Sequence, residues 1–167
     1  PLIEDVEALE SILDQYKIDF EANSLKMMRS KLGLEAEDAF DGSFVENLED
    51  NLLLTETDVT IFFRKLSDFS AEKPSEGLKI IHDAFYRINE LSDDIKEKWN
   101  AWFQRYSERL AQEETTSEKR KEIMNAVNPK YVLRNYMAQL VIDDAEKGNY
   151  ELIDELFQLL KQPYAEQ

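Results

Sequence analysis

The sequence contains no cysteine and a single histidine. The first absence excludes disulfides and thiolate metal sites, and one imidazole, His82, excludes multi-histidine zinc ligation. Glycine and proline are scarce as well, four of each. Apolar residues recur at spacings of three and four instead, so the chain reads as helical almost throughout and no segment reads convincingly as a strand. No run approaches the roughly 18 apolar residues needed to span a bilayer, and no basic-then-apolar leader opens the chain. A soluble, cytoplasmic segment with no membrane partner is expected, and the composition suits a reducing compartment. Basic side chains are outnumbered, 20 to 36, giving a net charge of −16. A nucleic-acid partner is therefore not expected, because neutralising phosphates needs clustered lysine and arginine.

What is present suits one domain over residues 1–167, since a chain of this size buries roughly 70% of its unfolded surface. The acidity is concentrated: residues 1–84 hold 8 basic and 20 acidic side chains, net −12, and residues 85–167 hold 12 and 16, net −4. A first helix is predicted from about Ile3 to Leu32, with Val6, Leu9, Leu13, Tyr16 and Phe20 on one side and the stripe continuing through Leu25 and Met28, a break near Asp19 an open alternative, and a stop at Gly33. A second spans about Gly42 to Leu54, and a third about Asp58 to Phe69, capped by Thr57 or Asp58. Residues 70–77 read as a loop and Leu78 to Asn89 as a further helix. Ser92 opens a long helix to about Glu113, in which Ile95, Trp99, Trp102, Tyr106 and Leu110 form one apolar stripe. A short helix follows from Ser117 to Ala126.

The last stretch, Asn128 to Leu160, reads as two helices and their turn. Asn128 is assigned as the N-cap and Pro129 as the first helical residue, so that Asn128→Ala is expected to cost roughly 1 kcal/mol. The helices, about Pro129 to Lys147 and Tyr150 to Lys161, meet at a glycine stop, Gly148, followed by Asn149. No period of 34 to 45 residues aligns the helix pairs. The fold class expected is all-α: an irregular bundle of about 7–9 helices ending in an antiparallel helical hairpin.

Several segments, in order along the chain, resemble the C-terminal helical region of the selenoprotein O family. They are Ser24-Leu25-Lys26-Met27-Met28-Arg29-Ser30-Lys31-Leu32-Gly33-Leu34; Asp58-Val59-Thr60-Ile61-Phe62-Phe63-Arg64-Lys65-Leu66; Trp99, Trp102, Tyr106, Arg109 and Leu110; Asn128-Pro129-Lys130; Leu133-Arg134-Asn135; Ala145-Glu146-Lys147-Gly148; and Pro163-Tyr164. The family comprises kinase-like (pseudokinase) protein adenylyltransferases that bind ATP upside down and transfer AMP to protein hydroxyls. The resemblance implies a parent using ATP with Mg2+ or Mn2+ on serine, threonine or tyrosine of protein substrates. Its glycine-rich loop, nucleotide lysine and metal-binding aspartate and asparagine lie upstream of the matched region, so no catalytic, cofactor-binding or metal-binding residue is carried onto this chain. Family members commonly end in a redox-active cysteine or selenocysteine tail, which has no counterpart here. The start at Pro1 agrees with a piece trimmed from a longer chain. The implied partner is the parent's kinase-like catalytic portion.

Other chemistry is weaker. Glu37 to Leu48 has the acidity of a calcium loop, but with Gly42 sixth the third and twelfth positions are Ala39 and Leu48, which offer no ligand. Asp68-Phe69-Ser70 lacks the glycine and the preceding strand of a kinase metal motif. His82, beside Ile80, Ile81 and Phe85, reads as a hydrogen-bonded structural residue. Asp93-Asp94 and Asp143-Asp144 diverge by about 100° on their helices and make poor acid–base pairs; the former suits a helix first turn. Lys119, Arg120, Lys121, Lys130 and Arg134 gather near one helix junction. They are either a solvated, internally paired group or a docking contact with the catalytic portion or its substrate. The rival to the family reading is an independent all-helical protein–protein interaction module.

Overall fold

The computed structural model describes residues 6–166, and the expected start of the first helix at Ile3 falls outside them. Among the described residues there are eight α-helices and no strand. They are α1 (Val6–Leu32), α2 (Asp41–Leu53), α3 (Val59–Leu66), α4 (Gly77–Ile80), α5 (Asp93–Leu110), α6 (Ser117–Val127), α7 (Asn135–Ala145) and α8 (Glu151–Lys161). The architecture is the all-α bundle expected, closed by the α7–α8 hairpin.

Local chemistry accounts for most boundaries. Gly33, at φ +68°, ends α1: its N–H donates to Ser30 C=O at 3.2 Å and Leu34 N–H to Arg29 C=O at 3.0 Å, satisfying two carbonyls that the helix leaves open. Gly148, at φ +87°, repeats the device after α7, with Gly148 N–H on Ala145 C=O and Asn149 N–H on Asp144 C=O. The Asp58 carboxylate accepts from Thr60 and Ile61 N–H at 3.0 and 3.1 Å, and Ser92 Oγ from Ile95 N–H at 3.3 Å, capping α3 and α5. Helix α1 is continuous through Asp19. Helix α6 starts at Ser117 as expected and is capped by Thr116, whose hydroxyl accepts from Lys119 N–H at 3.3 Å.

Three local expectations are corrected. Residues 78–89 are not one helix: α4 is a single turn flanked by 3-10 turns at Pro74–Glu76, His82–Ala84 and Ile88–Glu90. The cause is a long-range pairing, in which Ala84 C=O accepts from Asp58 N–H at 2.7 Å and Tyr86 N–H donates to Glu56 C=O at 3.2 Å. These bonds pull Phe85 into extended backbone, at φ −91° and ψ 124°, and seat it against Trp99. His82 consequently lies on the surface rather than inside the fold, although the hydrogen bond expected of it is made, its ring nitrogen 3.3 Å from the Asp83 carboxylate. The third correction is Asn128. It begins no helix; it follows α6 at φ −105°, ψ 107°, and α7 starts seven residues later. Its amide is fully buried and crosses to the end of α1, Nδ2 donating to Lys31 C=O at 2.9 Å and Oδ1 accepting from Lys31 Nζ at 3.3 Å. Pro129 disfavours helical backbone at the residue before it, which leaves that side chain free for the cross-link.

The core is organised on α5. Trp99, Trp102, Phe103 and Tyr106 are buried along it and meet Phe44 of α2, Phe62 of α3, Phe69 and Phe85. Stacked and tilted ring pairs run through the cluster, Phe44–Trp102 at 5.0 Å, Phe69–Tyr106 at 5.0 Å and Phe62–Trp99 at 5.5 Å between centroids. Trp102 Nε1–H donates to Phe44 C=O at 3.4 Å, and the Tyr106 hydroxyl to Leu32 C=O at 2.6 Å. Phe103 also explains Gly77, where a Cβ would lie 2.3 Å from the Phe103 ring.

A buried charge group fastens the α1–α2 connection to the far end of α5. Arg109 donates to Asp41 at 2.8 Å, to Glu113 at 2.6 Å and to Ala36 C=O at 2.6 Å, while Glu113 accepts from Glu35 and Ala36 N–H, both at 3.1 Å. Residues 37–48 are thus a turn and a helix whose Asp41 faces a guanidinium.

Candidate functional site

The five basic residues singled out above do not form one surface. Lys119 pairs with Glu122 one turn away at 3.0 Å. Arg120 is buried, its guanidinium donating to the Tyr106 hydroxyl at 3.1 Å and to Phe69 C=O, so it belongs to the core. The Tyr106 phenol is pushed up to about 12 by burial, against the opposing pull of Arg120, and stays protonated as a donor. Lys121 pairs with Asp68 at 2.5 Å.

Lys130 and Arg134 lie on the extended linker between α6 and α7 rather than in the helix expected from Pro129, where Lys130 would stand in the first turn and Arg134 one turn on. The linker runs beside the returning tail: Lys130 and Tyr131 N–H both donate to Pro163 C=O, at 2.7 and 3.1 Å. Lys130 Nζ reaches the Glu166 carboxylate at 3.0 Å, and Glu166 also takes the Arg64 guanidinium of α3. Arg64 reaches in turn across to Asn125 C=O at 3.1 Å and Asn128 C=O at 2.9 Å. Hydrogen bonding from Lys130, then from Arg64, holds the Glu166 carboxyl below the usual range, and the same contact raises Lys130.

Arg134 grips Asp58 with one nitrogen, at 2.8 and 2.6 Å from its two oxygens. Asp58 therefore performs two tasks, capping α3 and tying the hairpin linker to the body. Burial opposes its ionisation, but the Ile61 N–H, Arg134 and the Thr60 N–H outweigh burial and hold its carboxyl below the ordinary value.

Two clefts flank this junction. One, of about 560 Å3, is lined by Arg64, Lys121, Lys130 and Glu166 among others; the other, of about 450 Å3, by Asp58, Tyr86, Arg134 and Tyr136, and Lys130 contributes to both. Arg64, Asp58 and Glu166, absent from the candidate set, are what organise it. A signal for two was present, since Asp58 and Arg64 stand in the same quoted segment as α3, and that segment meets Asn128-Pro129-Lys130, Arg134 and Pro163-Tyr164 here. Chemically the junction is a set of charge-assisted cross-links between α3, α6, the linker and the tail. Among the described residues no group of three histidine or carboxylate side chains is placed to hold a metal ion, and two cations of the junction, Arg64 and Lys130, are both engaged by Glu166.

The sequence profile of the family described as protein adenylyltransferase SelO matches residues 1–161. Among curated relatives named protein nucleotidyltransferase YdiU, one from Flavobacterium johnsoniae is 46% identical over 168 residues, covering 100% of this chain and 32% of that protein. One from Aromatoleum aromaticum is 41% identical (100% and 31%) and one from Rhodopirellula baltica 36% identical (100% and 33%). The chain spans about a third of the length of the curated relatives it matches.

Proposed function

The chain belongs to the protein adenylyltransferase SelO family, and from that premise we propose that it is the C-terminal helical scaffold of a longer adenylyltransferase, bracing a kinase-like catalytic portion rather than carrying the chemistry. The parent would transfer AMP from ATP, with Mg2+ or Mn2+, to serine, threonine or tyrosine of protein substrates in the cytoplasm. The residues of this segment do not fit such a nucleotide site, because its buried and half-buried guanidinium groups are engaged internally: Arg109 with Asp41 and Glu113, Arg120 with Tyr106, Arg134 with Asp58, Arg64 with Glu166.

The observation that carries the reading is uncovered apolar surface. The accessible area is 11382 Å2, whereas a compact monomer of this mass exposes about 8,600 Å2. The excess includes large apolar side chains: Val6, Leu13, Tyr16 and Phe20 on α1, and Tyr136, Leu140, Ile153 and Phe157 on the hairpin, which contains no buried residue. Broad uncovered faces of this kind suit a domain interface better than the narrow polar-rimmed groove of a peptide-binding module. No helix among the described residues is long and apolar enough to cross a membrane.

Titration of this chain with ATP and MgCl2 or MnCl2 in a calorimeter tests the proposal. No saturable heat is expected; tight binding would overturn it.

A further inference from the structure

Helix α1 is two amphipathic halves with different faces. At 100° per residue, the residues that enter this core, Leu25, Met28 and Leu32, fall in an arc of about 60°, and the earlier stripe Val6, Leu9, Leu13, Tyr16 and Phe20 in an arc of about 80° whose centre is rotated by about 110°. In the first half the arc facing the core is filled instead by Glu7, Glu10, Asp14 and Glu21. The helix therefore changes the direction of its apolar face near residue 24, so Leu25 and Met28 do not continue the earlier stripe as expected but belong to a second one that faces the core. Residues 10–23 are exposed without exception. Tyr16 and Phe20 stack on one another, 6.1 Å between centroids, while 64% and 59% exposed.

Such a stripe on a helix with no tertiary support is costly in water, since tertiary packing of an apolar face supplies most helical stability. Charge narrows what covers it. Residues 6–24 carry five acidic side chains and one lysine, net −4; a second copy laid along the stripe would face like with like. The length of polypeptide outside this chain, about two thirds of the relatives' length, offers another occupant. We infer that the first half of α1 is a docking helix, seated through Leu13, Tyr16 and Phe20 in an apolar groove with a basic rim on the remainder of the parent polypeptide. The inference rests on the scaffold reading and adds to it the element and the face that make the contact.

The test uses the full-length parent with its native cysteines replaced by serine, carrying Leu13→Cys, Phe20→Cys or, on the acidic face, Glu10→Cys. Labelling by a maleimide is expected to be at least about tenfold slower at the two stripe positions than at position 10, as for groups exposed only by local opening. Equal rates at all three overturn the inference. Slow labelling that appears only at concentrations where light scattering reports a dimer also overturns it, because a second copy is then the occupant, yet leaves the scaffold reading standing. ATP binding by the isolated chain with protected stripe thiols sinks the scaffold reading and supports the docking helix.

Discussion

At the scale of single residues, polar side chains act here as cross-links between distant segments. Asn128 joins α6 to the end of α1. Its replacement by alanine removes a fully buried amide and the partner of the half-buried Lys31 carbonyl, and chemical denaturation is expected to show a loss of about 1–3 kcal/mol, the cost of leaving a desolvated polar group unsatisfied. A neutral result would mean that water reaches the carbonyl. Asp58 predicts a pH dependence. Its carboxyl is held below the ordinary value in the fold, so the unfolded chain takes up that proton first as pH falls. The stabilisation is complete above the unfolded value of about 3.9 and is lost as pH descends through the folded one. Asp58→Asn keeps a good N-cap but surrenders the ion pair with Arg134; its stability should fall less steeply with acidification than that of the unmodified chain, read from denaturation midpoints between about pH 5 and about pH 2.

Among the elements, α5 carries the core and α1 carries the question of what lies beyond it. Trp99→Ala is expected to lower stability by about 3–5 kcal/mol, as large-to-small changes in aromatic cores do. Gly77→Ala is expected to destabilise as well, because the new methyl meets the Phe103 ring; the thermal midpoint reports both. The elements legible in the sequence were those with local signatures: the Ser92 and Asp58 caps, the glycine stops at 33 and 148, and the tryptophan stripe. The elements misread depended on partners far along the chain. Asn128 before proline looks the same locally whether it caps a helix or crosses to Lys31, and nothing within residues 78–89 announces that Ala84 and Tyr86 bond to the strand-like turn at 56–58. Lys130 and Arg134 were visible as a pair of cations, but their partners Glu166 and Asp58 lie 36 and 76 residues away. The α1 stripe was legible too, although its period is silent on whether this core or another covers it.

For the molecule as a whole, a well-packed aromatic centre coexists with two peripheral arms, the first half of α1 and the α7–α8 hairpin, that bury little of their own apolar surface. The linker and tail fix where the hairpin departs from the body, through Arg134–Asp58, Lys130–Glu166 and the paired bonds to Pro163. In the scaffold proposal both arms would be completed by the rest of a longer polypeptide. Amide hydrogen exchange compared between this 167-residue chain and the full-length parent tests that account most directly. Residues 10–23 and 135–161 should exchange within the range of frayed helices in the chain alone and become strongly protected in the parent, while the α5 core is slow in both. Arms that exchange equally fast in the parent would contradict it.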